Sequence, residues 1–255
     1  MTALVNSSQL RRLRLTGAYT ADATLNLPSM FVLALDHGAT YSGAKEGLPG
    51  DGINSLVTAN GTYYTAIVGG RFDCSSVPMR HYPTCDTHSP YQRGYTSDAT
   101  DPITQSHRTG LFGTHVRAFT VTNVTVIDCG LGLNYSSGNV MVQNGDHGSV
   151  SHSEMSGGSR GIWLERNSGL AVHHNCESFG TEIPEPPLLM VRSASGIHDC
   201  GPLIDVDNGN SGVLLYSNVV ENTLAYGMWL ELNTADCYVF NSAPTAHLPV
   251  LHRLC

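Results

Sequence analysis

The sequence predicts an all-β protein, a single-stranded right-handed parallel β-helix built as a solenoid of coils of about 22 residues. The first observation is a repeat, since Gly161–Glu165 reads GIWLE and Gly227–Glu231 reads GMWLE. The interval between the two segments is three times the length expected of one coil. Self-similarity at a period of this size is typical of a solenoid and therefore decides the architecture.

The second observation is a set of six short runs, mostly rich in β-branched residues, that can be laid over one another. The gaps between them vary around one mean, which suits stacked strands in register with loops of variable length. One apolar residue of each run is expected to join a single inward stack. The expected members are Val126, Val150, Val172, Ile197, Leu215 and Val239.

Composition and charge limit the possible domain organisation and partners of the protein. The chain has 255 residues, 27 glycines and only 13% charged residues, which fits one elongated β-domain with many tight turns. The net charge of −8 and the single lysine, Lys45, argue against a nucleic-acid partner, because phosphate binding needs clustered cations. The sequence contains no apolar run of transmembrane length, so we expect no membrane insertion.

Glycosylation sequons and cysteines favour a secreted, extracellular protein. Cys74 and Cys85 flank a loop and could be bridged, Cys176 and Cys200 are expected on adjacent coils, and Cys237 could pair with Cys255; free thiols are the alternative. Met1–Ser8 lacks the features of a signal peptide, which together with the odd cysteine count suggests a partial chain. The four sequons begin at Asn6, Asn60, Asn123 and Asn134.

One β-helix domain is predicted over residues 1–255. Residues 11–73 are assigned to N-terminal coils, 74–117 to an inserted loop, 118–243 to regular coils and 244–255 to a C-terminal tail. The inserted loop is rich in proline and is expected to line a cleft on one side of the helix. Its four histidines match no zinc-binding spacing and are interpreted as solvated loop residues.

Three segments carry a resemblance to a known superfamily. They are the N-terminal pattern from Tyr19 to Ala39, Ile67–Asp73 (IVGGRFD) and Val121–Cys129 (VTNVTVIDC), and they resemble the pectin-lyase-like superfamily. The resemblance implies a right-handed parallel β-helix of the polygalacturonase or pectate-lyase type. It covers residues 11–243 in pattern, and its motifs are structural, so they specify the fold better than the chemistry.

Alternation along the strands predicts two outward columns on one face of the helix, because neighbouring side chains of a strand point to opposite faces. Trp163 and Trp229 are predicted to be exposed, about 14 Å and three coils apart, and to stack on sugar rings. The alternative is a protein interface or a loop folded over both rings. The first column is Met141, Trp163, Met190, Asp205 and Trp229, and the second is Gln143, Glu165, Arg192, Asp207 and Glu231.

The carboxylates of this face are the candidate catalytic groups. Asp207 and Glu231 are expected on neighbouring coils about 5 Å apart, with Glu165 about twice as far from Asp207. This spacing is near that of the acid and base in glycosidases. Crowding by Asp205 would raise the pKa of one carboxyl group, which could then act as a general acid. The alternatives are a surface ladder of acidic side chains or a Ca²⁺ site. Gln143 and Arg166 are further candidates for sugar contacts.

The resemblance leaves the reaction open. None of the polygalacturonase motifs is intact, and Gly145–Gly148 (GDHG) matches only a fragment that precedes the acidic group. Lyases of the superfamily typically abstract a proton with lysine or arginine, often with Ca²⁺. The coils after Lys45 contain no lysine, so Arg192 is the candidate base.

A polar column at the ends of the overlaid runs is interpreted as structural, because stacked Asn and Ser side chains can bond the backbone of the next coil. Its members are Cys129, Ser153, Asn175, Cys200, Asn218 and Ser242. Just before it, His152, His173, His174 and their neighbours could bind a metal, although lining of a stacked turn is the simpler interpretation.

The sequence therefore predicts a secreted β-helix that binds an acidic polysaccharide along one face, as a glycoside hydrolase or lyase. The alternative is a non-catalytic extracellular protein that binds glycan or builds a matrix on the same scaffold. No cofactor is required by the sequence, although Ca²⁺ is compatible with the acidic group.

Overall fold

The computed structural model describes the residues that build the repeating coils. They are residues 11–21, 23–43, 53–75, 107–127, 129, 138–156, 160–178, 204–207, 209–221, 228–230, 235–240, 243–244 and 251–252. Every regular element in these ranges is a β-strand. No helix that is long and apolar enough to cross a membrane is found among them.

The strands form three sheets of eight, all with parallel pairing between neighbours. The first sheet contains Arg12–Leu15, Val32–Leu35, Ala66–Val68, Arg117–Thr122, Asp146–Ser151, Ser168–His173, Leu214–Tyr216 and Tyr238–Phe240. The second contains Ala18–Thr20, Thr40–Ser42, Arg71–Asp73, Thr125–Ile127, Glu154–Ser156, Cys176–Ser178, Val219–Glu221 and Ala243–Pro244. The third contains Leu25–Leu27, Ile53–Asn60, His107–Thr114, Val140–Gln143, Ile162–Glu165, Ile204–Val206, Met228–Leu230 and Leu251–His252.

Consecutive strands of the chain visit the three sheets in turn, and each strand pairs with the strand three places later. This order is that of a parallel β-helix with three faces, so the predicted fold class is confirmed. Inward-facing residues from all three sheets form one continuous hydrophobic core.

The central stack of the first sheet runs through all eight coils. Its six middle members are at most 1% exposed. Each is paired with the next at the spacing of neighbouring strands, about 4.8 Å. The stack is Leu13, Leu33, Ile67, Val121, Val150, Val172, Leu215 and Val239.

One member of the predicted stack was misplaced, and another is outside the described residues. Val126 lies in the second sheet and pairs with Phe72 and Met155, because its run is one strand further along the coil than the others. Ile197 is outside the described residues, and Val172 pairs directly with Leu215, so no coil intervenes between these two.

The coil count between the two GxWLE segments is also corrected. Trp163 pairs with Asp205, and Asp205 pairs with Trp229. The interval from Trp163 to Trp229 therefore consists of two coils of unequal length, not three equal ones. The longer coil, from Trp163 to Asp205, contains residues 179–203, which are outside the described residues.

The limits of the predicted insertion also differ at one end. The strand His107–Thr114 falls within the expected loop 74–117, yet it pairs with Ile53–Asn60 and Val140–Gln143. Leu111, at 0% exposure, belongs to the hydrophobic core. The glycine and polar residues of this strand obscure the alternation of apolar and polar residues from which a strand is predicted.

Buried asparagine ladders hold the turns of neighbouring coils together. The Asn175 side chain accepts a bond from Ser153 N (3.0 Å) and donates to Val150 O (3.0 Å) and Asn218 Oδ1 (3.1 Å). Asn167 and Asn210 form a second ladder of the same kind. The structural interpretation of Ser153, Asn175 and Asn218 is confirmed.

Replacing Asn175 by Ala is expected to lower the free energy of unfolding by about 2–5 kcal/mol, because Ser153 N and Val150 O would be left buried without partners. Urea denaturation measures the change. Asn26→Ala, at an exposed strand position, is the matched control and should change stability by less than about 0.5 kcal/mol. Equal effects at both sites would contradict the role of the ladder.

The disulfide differs from the predicted one. Cys74 is bonded to Cys129, 55 residues away, and not to Cys85. The bond joins the ends of two neighbouring strands of the second sheet, Arg71–Asp73 and Thr125–Ile127, whose proximity comes from coil stacking and not from closeness in sequence. The thiol of Cys129 is thus used by the disulfide, while its backbone N donates to Asn139 Oδ1 (3.0 Å). Cys237 carries a free thiol, and its expected partner Cys255 lies outside the described residues, as do Cys85 and Cys200.

The Cys74–Cys129 bond should contribute up to about 4 kcal/mol to stability, because it closes a loop of 55 residues in the unfolded chain. Cys74→Ser together with Cys129→Ser is therefore expected to lower the midpoint of urea denaturation. Adding a reductant to the double variant should have no comparable effect. An unchanged midpoint for the double variant would contradict this contribution.

Candidate functional site

The outward column predicted on the third sheet is present, but its residues differ in part from the predicted ones. It runs in register through Phe112, Met141, Trp163, Asp205 and Trp229. Ile162, Leu164, Ile204 and Val206 alternate with these residues and belong to the inner core. Trp163 and Trp229 are therefore two coil steps apart, about 10 Å along the axis, and not about 14 Å.

The predicted exposure of this column is wrong for three of its members. Met141, Trp163 and Asp205 are 0%, 2% and 2% exposed. Phe112, Met141 and Trp163 form a second hydrophobic cluster on the outside of the helix. Alternation identifies the side of the strand on which a residue lies, but it does not tell whether that side is covered. Because its ring is buried, Trp163 does not offer a surface for stacking on a sugar.

Asp205 is held in this buried layer by Arg160, which the sequence analysis missed. Arg160 Nε lies 2.8 Å from Asp205 Oδ2, and the two side chains are 7% and 2% exposed. The guanidinium carbon of Arg160 also lies 4.6 Å from the centre of the Trp163 ring, in a cation–π contact. No sequence signal marks Arg160, because it precedes the strand and is outside the alternating pattern.

The carboxyl group of Asp205 has a strongly perturbed pKa. Burial raises it, the nearby Arg160 charge lowers it, and the Asp207 charge raises it again, so that the pKa of Asp205 is about 7. Asp205 Oδ1 is buried and has no hydrogen-bond partner in the described part of the chain. Asp205 therefore exchanges a proton near neutral pH, and the Asp207 charge contributes to this shift.

Three residues of the second column lie at the partly exposed edge of the same sheet. Gln143 donates a short hydrogen bond to Glu165 Oε2, and Arg166 Nη2 is 3.2 Å from Glu165 Oε1. Asp207 N donates to Leu164 O (2.8 Å), which continues the strand pairing and places Asp207 on the coil next to Glu165. The predicted two-coil separation of Glu165 and Asp207 is therefore wrong, and they are immediate neighbours.

Arg166 is exposed and occupies the turn after the strand. Its φ of 54° is in the left-handed region that β-helix turns require here, and Asn144 holds the matching place on the preceding coil with a φ of 51°. The side chain is anchored by Glu165 at one end of the carboxylate group. Arg166 thus adds a positive charge beside Glu165.

Some predicted site residues cannot be placed on this face. Glu231, Arg192 and Met190 lie outside the described residues. The backbone of Trp229 is part of the strand Met228–Leu230, which pairs with Ile204–Val206, and its side chain is not described.

A second outward column, on the first sheet, was also missed by the sequence analysis. The rings of His173 and Tyr216 are stacked with centroids 4.6 Å apart, and Phe240 stacks on Tyr216 at 5.1 Å. Phe240 is 48% exposed, and Tyr238 on the same strand is 58% exposed. A signal was available, because His173, Tyr216 and Phe240 each directly follow an aligned apolar residue of the overlaid runs.

The Asp205 pKa leads to a prediction about stability. A carboxyl whose pKa rises from 3.8 to about 7 on folding stabilises the protein below pH 3.8, and this contribution is lost as the pH rises through 7. The loss amounts to about 4 kcal/mol in total. Urea denaturation at pH 4 and pH 8 measures it.

Asp205→Asn should remove this part of the pH dependence. Arg160 stays charged at both pH values and asparagine does not titrate, so the contact between Arg160 and the substituted side chain makes no pH-dependent contribution between pH 4 and pH 8. Asp146→Asn, at a partly exposed carboxylate, is the control and should keep the wild-type profile. If wild type and Asp205→Asn lose the same stability between pH 4 and pH 8, the perturbed pKa is wrong.

Comparisons with known proteins identify the fold alone. No family model matches the chain, and no curated protein matches it. A proposed glycosyl hydrolase from Parabacteroides merdae ATCC 43184 superposes with a TM-score of 0.56 and 11% identity, over 93% of this chain and 84% of that one. An alginate lyase from Paenibacillus sp. str. FPU-7 superposes with a TM-score of 0.50 and 9% identity, over 94% and 72%.

Proposed function

We propose that the protein is a secreted, polysaccharide-active β-helix protein related to the pectin-lyase-like superfamily, a glycoside hydrolase or lyase that acts on an acidic polysaccharide. The fold is common to a proposed glycosyl hydrolase and an alginate lyase, which supports the general class. Secretion is supported by the Cys74–Cys129 disulfide and by the exposure of the sequon residues Asn60 and Asn123.

The observation that carries the proposal is the carboxylate group at the edge of the third sheet. Glu165 and Asp207 are partly exposed on neighbouring coils, with backbones about 4.8 Å apart, and Asp205 is buried beside them with a pKa of about 7. Perturbed carboxyl groups of this kind collect at catalytic sites. Retaining glycosidases hold their two carboxyl groups about 5–5.5 Å apart, a separation that side chains on neighbouring coils can reach.

Each residue then has a distinct role. Asp207 and Glu165 contact the sugar and exchange protons with it, one as the acid and the other as the base or nucleophile. Asp205 is a positioning residue, because it is buried, is paired with Arg160 and lies on the strand that leads to Asp207. Arg166 is exposed and could bind the carboxylate of a uronic acid.

The remaining predicted residues keep their proposed roles on the basis of sequence. Glu231 and Trp229 belong to the next segment of the chain, whose strand Met228–Leu230 pairs with that of Asp205, so they would extend the site toward the C-terminus. Trp229 is the proposed stacking residue and Arg192 an alternative base. A Ca²⁺ ion bound by this carboxylate group would bridge it to an acidic sugar.

Turnover of a panel of acidic polysaccharides tests the proposal. A reducing-end assay detects hydrolysis and lysis, and absorbance of unsaturated products detects lysis alone, so the two assays together separate the reactions. Products in either assay, from an enzyme purified with and without added Ca²⁺, are the expected result. The absence of products from the whole panel would overturn the catalytic proposal.

A second candidate is a non-catalytic glycan-binding protein, favoured by the exposed aromatic column on the first sheet. Tyr238 and Phe240 offer ring surface to solvent, which the buried Trp163 does not. Sugar rings stack on such surfaces through their apolar faces. For this candidate, Phe240→Ala should weaken glycan binding while Asp207→Asn has no effect.

A further inference from the structure

Three histidine side chains meet on the outside of the β-helix, at the turn from the first sheet to the second. His173 is the last residue of the strand Ser168–His173, His174 follows it, and His152 holds the same place as His174 on the preceding coil. One ring nitrogen from each lies within 4.8 Å of those of the other two. His173 Nδ1 and His174 Nδ1 are 2.9 Å apart.

The backbone at this turn aims two of the rings in the same direction. His152 and His174 have φ values of 51° and 54°, in the left-handed region that a non-glycine residue seldom adopts. Asn123 and Ser217 hold the equivalent turn positions on the flanking coils, with φ values of 55° and 53°. The rings of His152 and His174 are consequently stacked, with an interplanar angle of 2° and centroids 5.0 Å apart.

The third ring is fixed by aromatic packing. Tyr216 lies parallel to His173 at 4.6 Å and is itself backed by Phe240 at 5.1 Å. His173 meets His174 and His152 nearly at right angles, with interplanar angles of 86° and 87°. Two parallel imidazoles and one perpendicular imidazole therefore lie side by side at the surface, with one nitrogen of each within 4.8 Å of the others.

We propose that His152, His173 and His174 together bind one divalent transition-metal ion of the zinc type. Imidazole nitrogen is a preferred ligand of Zn²⁺, Cu²⁺ and Ni²⁺, whereas Ca²⁺ and Mg²⁺ require oxygen ligands. Tetrahedral Zn²⁺ with Zn–N distances of about 2.0–2.1 Å holds its nitrogens about 3.3 Å apart. The Nδ1 atoms of His173 and His174 are closer than this value at 2.9 Å, and the other separations are at most 4.8 Å, so ring rotations complete the site.

Two consequences follow from the three-histidine set. The ion would join neighbouring coils, because His152 and His174 come from adjacent turns of the helix. Three protein ligands leave a fourth position for water or for an anionic group of a ligand. The histidine site lies on the first sheet, whereas the proposed catalytic carboxylates lie on the third sheet or at the ends of its strands. The test of metal binding is therefore independent of the proposed enzymatic activity.

Calorimetric titration of the metal-free, 255-residue protein with zinc sulfate tests the proposal. Co²⁺ serves as a second probe, because its visible spectrum reports tetrahedral nitrogen coordination. His174→Asn and His152→Asn each remove one ligand and place an asparagine, which tolerates left-handed backbone, at the turn. His147→Asn is the matched control, since His147 is also exposed, has a φ of 54° and lies outside the cluster.

The wild type and His147→Asn are expected to bind one Zn²⁺ at this site with the same affinity. Loss of a residue that hydrogen-bonds a metal ligand typically weakens metal binding by about 10–100-fold, and loss of the ligand itself has a larger effect. His174→Asn and His152→Asn should therefore each weaken that binding at least about 100-fold. Thermal denaturation without metal establishes that the variants are folded. Equal Zn²⁺ binding in all four proteins, equal loss in His147→Asn, or no binding by the wild type would overturn the proposal.

Discussion

Replacing Asp207 by Asn is expected to reduce polysaccharide turnover at least about 100-fold, because an amide cannot exchange a proton as a carboxyl does. The amide keeps the shape and hydrogen-bonding size of the carboxylate, so glycan binding and the fold should remain. Glu165→Gln should have an effect of the same order, since both groups contact the sugar in the proposed mechanism. Initial rates in the reducing-end assay measure the change.

The control for these two variants is Asp146→Asn, which removes a partly exposed carboxylate from the first sheet. Its turnover should equal that of the wild type. If Asp207→Asn and Glu165→Gln both keep the wild-type rate, the acid–base assignment is wrong.

Val172→Asp is expected to have the largest effect on stability, a loss of more than about 4 kcal/mol or a failure to fold. Val172 is 0% exposed in the central stack, between Val150 and Leu215, so the aspartate would be a buried charge without a partner. Chemical denaturation followed by circular dichroism measures the loss.

The adjacent Ala171 provides the matched control, because its side chain is on the other face of the same strand and is partly exposed. Ala171→Asp should cost less than about 1 kcal/mol. Similar losses for the two substitutions would contradict the inward orientation of Val172.

Local patterns were sufficient to predict the fold, since the β-helix depends on features that repeat along the chain. Val150, Val172, Leu215 and Val239 align because every coil must place an apolar residue at the same inward position. Ser153, Asn175 and Asn218 align because every turn must satisfy the same backbone groups. Both requirements recur within each coil, so a single sequence displays them.

Coil stacking could not be predicted in the same way, because the period is interrupted. The interval between Trp163 and Trp229 fits three coils of equal length as well as the two unequal coils observed, so Glu165 and Asp207 were assigned to coils that are too far apart. The same difficulty explains the disulfide, since the closeness of Cys74 and Cys129 depends on which strands stack.

The sequence pattern also could not predict which outward-facing side chains of the β-helix are buried. The alternation of Ile162–Glu165 correctly predicted that Trp163 and Glu165 point away from the core, yet Trp163 is buried and Glu165 is partly exposed. The difference depends on contacts outside the repeat, including the cation–π contact with Arg160. These contacts change the expected role of Trp163 from sugar binding to support of the Arg160–Asp205 pair.

The most direct test of the central claim is carboxyl footprinting in the presence of an oligosaccharide of the acidic substrate. A carbodiimide and glycine ethyl ester label accessible carboxylates, and mass spectrometry measures the labelling of each one. Saturating oligosaccharide is predicted to reduce the labelling of Glu165 and Asp207 while leaving that of Asp36 and Asp146 unchanged. Unchanged labelling of Glu165 and Asp207 with bound oligosaccharide would contradict the assignment of the third sheet as the functional face.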